Sequence, residues 1–396
     1  MRILFLTHHR RFKTFARSTP MARELVRNGH DVTLLCISNT RRLAFHTYSQ
    51  DAINYVETPD ILPGRLRSGW DPVSVPRRCA FLRGKTWDLI HAFESRPATI
   101  YPALYLRSRR RTPLVIDWID WWGRGGLISQ QRPRWYQLFF GGLETYYEEH
   151  FRRGADATTV ISSALGRRAE GLGVDPDSIF CIPDGADIDF FVPRDPLEFR
   201  ARYGVPKDAL VLGFSALDVT SDTDLVLQTV ERVASRRADV MLLMTGNRPP
   251  AFDRMVSARR LDRHVRHLGL LPYEEVPMAL STVDVFLMPL RDTVSNRARW
   301  PHKICDYMSL GRPTVSQPVG EVANLFSEYP IGLLSTENPD DFAARVLDLI
   351  ADPARRARMG AEARKVAVER YAWPILARRL EACYEHAAHH RTGGRL

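Results

Sequence analysis

Short apolar runs alternate with amphipathic stretches along the first half of the chain. The runs are rich in Val, Ile and Leu, as strands buried in a sheet are. Because strand, helix and strand follow one another at this spacing, the pattern predicts parallel βαβ units with crossover helices. Strands are predicted at 2–7, 31–37, 88–92, 113–117, 157–161 and 178–182, and helices at 19–28, 97–108 and 135–152.

The second half repeats this alternation after a stretch rich in proline and charge, 190–209, which predicts a linker and a short helix. Two doubly wound α/β domains follow from the repeat, and a chain of 396 residues is long enough for two cores. Strands are predicted at 209–215, 240–245, 283–289 and 313–318, and helices at 222–236, 250–261, 273–281 and 302–310.

The predicted fold class is α/β, with two Rossmann-like domains that face each other across a cleft. Residues 1–190 form the first domain and residues 191–370 the second. Pro374 is suited to the first turn of a new helix, so residues 371–396 are expected to pack back on the first domain. Ligands of such sheets bind beyond the carboxyl ends of the strands, which makes the cleft the expected site.

The composition shows an excess of basic residues, and no segment is predicted to span a membrane. The net charge is +10, the densest basic cluster is 8–17, and arginine outnumbers lysine 51 to 5. Two interpretations stay open: an anionic partner for this cluster, or a compositional bias that leaves a solvated basic surface. The first apolar run is too short for a signal peptide, no uncharged apolar run approaches about 18 residues, and the five cysteines are widely spaced, so a cytoplasmic protein with reduced thiols is expected.

The stretch RWPHKICDYMSLGRPTV at 299–315 combines charge with an apolar helix pattern. Lys303 and Asp306 are three residues apart and share one face of that helix. Gly311 suits the left-handed residue that ends it. An i,i+3 ion pair on an ordinary helix and a clamp for a charged ligand both fit these residues.

Several motifs occur together in an order that resembles GT-B-fold glycosyltransferases, most closely the retaining family 4. They are MARELVRNGHDVTLL at 21–35, TTVISSALGRRAEGLGV with IFCIPDGADIDFFVP up to residue 193, HLGLLPYEEVPMALSTVDVFLMPL at 267–290, PHKICDYMSLGRPTV at 301–315 and YAWPILARRLEACY at 371–384. The resemblance covers nearly the whole chain. It implies a hexosyltransferase that moves a sugar from a nucleotide-diphosphate sugar to an acceptor hydroxyl with retention of configuration.

The resemblance also assigns the charged residues of the second domain. The carboxylate of Asp306 would accept hydrogen bonds from the ribose hydroxyls, and Lys303 would offset diphosphate charge. Gly320 and Glu321 lie at a strand-to-helix turn whose backbone N–H groups could bind phosphate, although a plain βα turn fits equally well.

One departure from the family pattern concerns the diphosphate. Many members carry an arginine and a lysine, GR....K, after the first strand of the second domain, whereas this chain reads GFSALDVTSDTD at 213–224. Arg297 and Arg299, with Lys303, are predicted to supply the missing positive charge, because a guanidinium binds phosphate through two N–H groups. Solvated loop arginines are the alternative.

In the first domain the unusual segment is PLVIDWIDWWGRGGL at 113–127, with Asp117 and Asp120 at a predicted strand end. Trp118, Trp121 and Trp122 could form a sugar platform, and the glycines could admit a ligand, or the segment could be a tryptophan-rich core corner. Asp120 is the predicted orienting group or base, with Asp117 and His8 as further catalytic candidates.

The predicted partners are a nucleotide sugar donor and a glycan, glycolipid or small-molecule acceptor. A peripheral contact of loop 8–17 with an anionic membrane is left open, and no nucleic acid partner is expected. No cofactor or metal is predicted, because the DID sequence at 187–189 lies inside the structural IPDGADIDFF match. A degenerate sugar-nucleotide-binding protein and a nucleotide-sugar 2-epimerase are the alternative functions.

Overall fold

The structure is a computed structural model that describes residues 1–10, 17–40, 43–62, 68–216 and 221–393. The chain separates into two compact units. Unit 1 comprises Met1–Pro183 together with Trp373–Leu396, and unit 2 comprises Asp184–Ala372.

Unit 1 is built on an eight-stranded sheet. Its strands are β1 Arg2–Arg10, β2 Asp31–Ile37, β3 His46–Gln50, β4 Ile53–Thr58, β5 Leu89–Phe93, β6 Leu114–Trp118, β7 Ala157–Val160 and β8 Ile179–Cys181. They lie in the order β3-β4-β2-β1-β5-β6-β7-β8. Neighbouring strands run parallel, except that β3 is antiparallel to β4.

Helices cover both faces of this sheet. They are α1 Ser18–Arg27, α2 Ser74–Leu82, α3 Pro97–Arg110, α4 Leu127–Gln131, α5 Arg134–Glu149, α6 Ser163–Gly171 and α16 Trp373–Gly393. Successive side chains of a strand point to opposite faces, so β1 serves two cores. Ile3 and Phe5 pack in the cluster that includes residues of α1 and α16. Leu4 and Leu6 pack in the cluster that includes residues of α2 and α3.

The last helix belongs to the core of unit 1. Leu376, Leu380 and Tyr384 of α16 are almost fully buried in the cluster of β1, β2 and α1. The hydroxyl of Tyr384 lies 2.8 Å from Nδ1 of His91 on β5, which ties α16 to the middle of the sheet. Across the residues that the structure describes, no helix is long and apolar enough to cross a bilayer.

Unit 2 is built on a six-stranded parallel sheet. Its strands are β9 Leu210–Ser215, β10 Val240–Thr245, β11 Val265–His267, β12 Val285–Met288, β13 Thr314–Ser316 and β14 Gly332–Leu334. They lie in the order β11-β10-β9-β12-β13-β14. Its core joins apolar side chains of β9, β10 and β12 to those of α8 and α14.

The helices of unit 2 alternate with its strands. They are α7 Leu197–Tyr203, α8 Ser221–Ala234, α9 Pro250–Ala258, α10 Val276–Ser281, α11 Val294–Ala298, α12 Lys303–Ser309, α13 Glu321–Glu328, α14 Pro339–Ala351 and α15 Pro353–Val366. Short 3-10 turns occur at Arg152–Gly154, Pro176–Ser178 and Tyr273–Glu275, and a π turn at Ala367–Tyr371.

The predicted α/β class with parallel sheets is confirmed in both units. The hairpin of β3 and β4 was missed because its sequence lacks the usual signals. The strand β3 is mostly exposed, so it shows no clear apolar alternation. Its two-residue turn uses Asp51 and Ala52 at φ of 52° and 57°, where Asn-Gly is the common choice.

Candidate functional site

Lys303 lies at the carboxyl end of the central strand β9 in unit 2. Its Nζ donates a hydrogen bond of 2.7 Å to the backbone oxygen of Ser215, the last residue of β9. Burial and, to a smaller degree, the positive charge of Arg299 lower the pKa of the amine to about 8, against the carboxylates of Asp222 and Asp306. An anionic ligand bound next to this amine and the second cation would stabilise the charged form of the amine and raise its pKa.

Asp222, in the first turn of α8, is the carboxylate that faces these cations. Burial raises its pKa, while Lys303 and Arg299 act in the opposite direction. It belongs to the acidic segment that stands where the family carries GR....K; residues 217–220 of that segment lie outside the described residues. The cations are therefore partly neutralised from within unit 2.

Asp306 lies one turn after Lys303 on α12. Within the described residues, nothing donates a hydrogen bond to its carboxylate. Burial raises its pKa to about 6; His302 and Lys303 oppose this shift, and the nearby carboxylates of Asp184 and Asp187 add to it. A carboxylate that is ionised near neutral pH and has open lone pairs suits two adjacent hydroxyl donors.

The position of α12 is fixed by its buried side. Tyr307 stacks on Phe286 of β12, with ring centroids 3.7 Å apart and an interplanar angle of 3°. The Tyr307 hydroxyl accepts a hydrogen bond of 3.3 Å from the backbone N–H of Ser215. The Cys305 thiol donates to the backbone oxygen of Asp184 at 3.2 Å. These contacts hold the two charged side chains at the carboxyl edge of the sheet.

Arg297 pairs with a carboxylate of its own and does not contribute to the electrostatics of Lys303 and Asp222. Its guanidinium is exposed and forms a two-point ion pair with Asp292, Nε to Oδ1 at 2.5 Å and an Nη to Oδ2 at 2.6 Å. That hydrogen-bonded pair raises the pKa of Arg297. By contrast, Arg299 acts electrostatically on both Lys303 and Asp222. Of the two predicted arginines, only Arg299 contributes to the electrostatics of the lysine.

Gly320 and Glu321 form the turn into α13. Gly320 has φ +55°, and a Cβ there would lie 2.8 Å from the backbone oxygen of Arg297 and 2.9 Å from that of Asn296. The glycine is required because the backbone of α11 passes this close. Glu321 is the first residue of α13 and lies in its acidic first turn, where its charge suits the helix dipole. Both features fit the plain βα turn, and phosphate binding here stays a prediction.

Asp117 in unit 1 has structural contacts. Its side chain is fully buried in β6. Thr159 donates a hydrogen bond of 2.6 Å to Oδ1, and Nε of the buried Arg17 lies 3.6 Å from Oδ2. Its backbone oxygen accepts from Arg152 at 3.0 Å. A carboxylate held this way joins neighbouring strands, and these contacts are those of a structural residue.

His8 and Asp120 lie at the carboxyl ends of β1 and β6, with β5 between those strands. His8 is 5% exposed, and its Nδ1 is 3.4 Å from the backbone oxygen of Phe93. Gly69 is required beside it, since a Cβ at Gly69 would lie 2.6 Å from Cβ of His8. Asp120 is partly buried, and its backbone oxygen accepts from Nε1 of Trp118 at 3.0 Å.

Glu94 is a residue of this edge that the sequence interpretation missed. It follows β5 directly and has φ +66°, a left-handed conformation that non-glycine residues adopt rarely and often at functional sites. Its side chain is 7% exposed, and within the described residues nothing donates a hydrogen bond to its carboxylate. Burial raises its pKa to about 8, an effect that Arg96 opposes and Asp120 increases. The available signal was an acidic residue directly after a buried strand.

In the tryptophan-rich segment, Trp118 belongs to the packed core, whereas Trp121 and Trp122 are half-buried. Trp118 is fully buried, and its Nε1 donates to Glu148 at 3.0 Å, so the prediction that it forms a sugar platform is wrong. The guanidinium of Arg168 lies 3.8 Å from the ring centroid of Trp121. A Cβ at Gly126 would lie 2.1 Å from the backbone oxygen of Trp121, so this glycine admits the protein's own chain rather than a ligand.

Two sequence predictions concern the basic cluster at 8–17 and metal binding. Residues 11–16, most of the basic cluster at 8–17, lie outside the described residues. In the part of the chain that the structure describes, no group of three or more His, Cys, Asp or Glu side chains is arranged to hold a metal ion.

Comparison with protein families gives two matches. The model of a glycosyl transferase 4-like domain matches residues 16–185, and the model of glycosyl transferases group 1 matches residues 209–352. Together they cover most of the chain.

Individual relatives match at lower coverage. A GDP-mannose-dependent alpha-(1-6)-phosphatidylinositol monomannoside mannosyltransferase of Mycolicibacterium smegmatis is 27% identical over 57% of this chain and 61% of its own length. A D-inositol 3-phosphate glycosyltransferase of Stackebrandtia nassauensis is 27% identical over 55% of this chain and 51% of its own length. The matched stretches thus span between half and two thirds of these relatives.

Solved structures share the fold over almost the full length. Sucrose-phosphate synthase from Thermosynechococcus elongatus aligns with a TM-score of 0.75 at 16% identity, over 97% of this chain and 98% of that one. Anabaena HepE, in a complex with UDP and glucose, aligns with a TM-score of 0.70 at 17% identity over 100% of both chains. The chain therefore belongs to the GT-B-fold glycosyltransferases of the family 4 type.

Proposed function

We propose that this protein transfers a sugar from a nucleoside diphosphate sugar to an acceptor hydroxyl, with retention of anomeric configuration. The observation that carries the proposal is the arrangement on α12, where Lys303 and Asp306 share one face at the carboxyl end of β9. Asp306 has no hydrogen-bond donor within the described residues, and Lys303 is a partly buried lysine whose amine has its pKa lowered to about 8. The cation of Lys303 suits the diphosphate of a sugar nucleotide, and the carboxylate of Asp306 suits its ribose hydroxyls.

On the donor side, the Lys303 amine and the Arg299 guanidinium would bind the diphosphate oxygens. The bond between the sugar C1 and the β-phosphate oxygen breaks in the reaction, and negative charge collects on the departing phosphate. Cations fixed beforehand stabilise that charge without reorganising. Asp306 would accept hydrogen bonds from the two ribose hydroxyls and so orient the nucleotide.

On the acceptor side, the residues concerned are His8, Glu94 and Asp120 at the strand ends of unit 1. The acceptor oxygen forms the new bond to C1 from the face that the phosphate leaves, and its proton passes to a departing phosphate oxygen. No protein base is then obligatory. We assign Asp120 and Glu94 to holding the acceptor hydroxyl, since the oxygen of a carboxylate, or the carbonyl oxygen of a protonated carboxyl such as Glu94, accepts a hydrogen bond from a hydroxyl.

The acceptor class follows from the relatives' names. Those relatives are named for phosphatidylinositol mannoside and inositol phosphate acceptors. We accordingly propose a hydroxyl on a glycolipid headgroup or a small polyol phosphate. The expected contact of the basic cluster 8–17 with an anionic membrane fits such an acceptor, and a variant neutralised at Arg10, Arg11 and Lys13 would lose vesicle binding if that contact exists.

A thermal-shift screen against UDP, GDP, ADP and TDP sugars tests the donor class, because a ligand that binds only the folded protein raises Tm. We expect one nucleotide to give a shift that Lys303→Met abolishes and the control Lys365→Met, at an exposed lysine of α15, retains. Transfer is then measured by mass spectrometry with inositol, inositol phosphate and phosphatidylinositol acceptors. A shift without transfer to any acceptor would indicate a binding protein, and no shift with any sugar nucleotide would contradict the proposal.

A further inference from the structure

Helix α5 carries its apolar side chains on the outside. Trp135, Leu138, Phe139, Leu143 and Tyr146 follow the spacing i, i+3, i+4, i+8 and i+11, which places them on one face of the helix. All five are exposed, from 45% for Tyr146 to 80% for Leu138. Phe140, beside this face, is 43% exposed. We call this set the outer face of α5.

The opposite side of α5 is polar and buried. The buried residues of the helix are Glu144 and Glu148, at 7% and 6% exposure. Glu144 accepts a hydrogen bond from the Tyr136 hydroxyl. Glu148 accepts from Nε1 of Trp118 at 3.0 Å and from Arg168 at 3.1 Å. These contacts lock the rotation of the helix, so its apolar residues cannot turn inward.

The charges around the outer face are positive. Arg134, the first residue of α5, and Arg132, two residues before it, are both exposed. The two glutamates named above point inward, and Glu149 pairs with Arg168. The outer face therefore joins a large exposed apolar area to arginines and brings no carboxylate of its own to them.

We propose that the outer face of α5 docks on the surface of an anionic lipid bilayer. An amphipathic helix of this kind lies in the plane of the membrane, with its apolar side chains about 5–10 Å deep and its cationic residues among the phosphates. A helix of 16 residues is about 24 Å long and would seat this whole face in that orientation. The proposal concerns a surface of unit 1 and does not depend on the transfer reaction.

Charge complementarity favours lipid over a second copy of the chain. In a two-fold dimer through this face, the same side chains meet each other. The arginines of one copy would then meet a face that offers no carboxylate, whereas the phosphates of an anionic bilayer would supply anions for Arg132 and Arg134.

The test is flotation of the full-length protein with phosphatidylcholine vesicles that contain or lack phosphatidylglycerol. We expect wild type to float with the anionic vesicles. The double variant Leu138→Asn, Phe139→Asn should partition about a hundredfold less, since each large apolar side chain withdrawn from the bilayer costs about tenfold. The control Leu43→Asn, Leu270→Asn changes two leucines that are 74% and 67% exposed elsewhere, and it should float like wild type.

A charge variant and a fluorescence measurement complete the test. Arg132→Gln and Arg134→Gln should each weaken binding to anionic vesicles about fivefold. The emission change that vesicles cause in wild type should shrink in Trp135→Phe, because Trp135 enters the interface.

Three results would overturn the proposal. Wild type that stays unbound to anionic vesicles would do so, as would an α5 double variant that floats as well as the control. The third result combines two measurements. If sedimentation velocity shows that wild type is a dimer and the α5 double variant is a monomer, and neither protein binds vesicles, the outer face of α5 binds a second copy of the chain. None of these measurements needs a sugar donor, so failure here and failure of the proposed transferase function are separable.

Discussion

Burial shifts the pKa of one charged side chain at the carboxyl ends of each sheet, and the two shifts have opposite directions. In unit 2, burial lowers the pKa of Lys303 to about 8. In unit 1, burial raises the pKa of Glu94 to about 8. An anion that binds the first group stabilises its charged form, and the second group holds a proton until a cation or a hydrogen-bonding group replaces the lost hydration. The comparison supports the proposed anion site in unit 2 and the proposed hydroxyl site in unit 1.

The largest expected effect is that of Lys303→Met. The variant removes the amine that we propose binds the departing diphosphate, and we expect kcat/KM to fall by about a hundredfold to a thousandfold, as when one preorganised charge partner is removed. Steady-state kinetics measure it, with Lys365→Met as the matched control. The expected loss in kcat/KM is at least about a hundredfold. A loss of less than about threefold would mean that Lys303 does not stabilise the leaving group.

Asp306→Ala should weaken nucleotide binding by about tenfold to a hundredfold, the contribution of hydrogen bonds to a charged group. The reason is the loss of both proposed contacts with the ribose hydroxyls. Calorimetry with the nucleotide and with its 2′,3′-dideoxy analogue checks the assignment. Equal loss for both nucleotides would show that the carboxylate acts on something other than ribose.

Glu94→Gln should leave donor affinity unchanged and lower kcat/KM for the acceptor by about tenfold, since it weakens the hold on one hydroxyl. Initial rates at varied acceptor and saturating donor separate the two quantities. Glu144→Gln, a change at another buried glutamate of unit 1, serves as the control for general loss of packing. The assignment fails if Glu94→Gln changes the KM for the donor instead.

The smallest expected effect is a pH window for donor binding. Lys303 binds a diphosphate in its charged form, so affinity is full below its pKa of about 8 and falls as pH rises above it. Asp306 accepts hydrogen bonds best when ionised, so affinity falls as pH drops below about 6. Calorimetric titrations with the sugar nucleotide should show a maximum between these values. In Lys303→Met the alkaline limb should disappear while the acidic limb remains.

Several features of the site were predictable because they depend on local spacing. Lys303 and Asp306 lie three residues apart in a helical pattern, and α12 does present them together. The alternation of apolar runs likewise predicted the parallel sheets. Helical and strand periodicity is a property of neighbouring residues, so it is present in the sequence itself.

The partners of charged side chains were not predictable in the same way. Arg297 pairs with Asp292, only five residues away, whereas Arg299 joins Lys303. Asp117 meets Arg17, a hundred residues earlier in the chain, inside the core. Such pairs depend on how strands stack and on which charges burial leaves without water.

The sequence by itself determined the α/β alternation, the family and the charged face of α12. Only the tertiary structure decided that Glu94 is a buried carboxyl at a strained turn and that α5 turns its glutamates inward. The physical reason is that periodicity defines which residues share a face but not which face is buried. In α5 the hydrogen bonds to Glu144 and Glu148 decided it, and they left the apolar side chains on the surface.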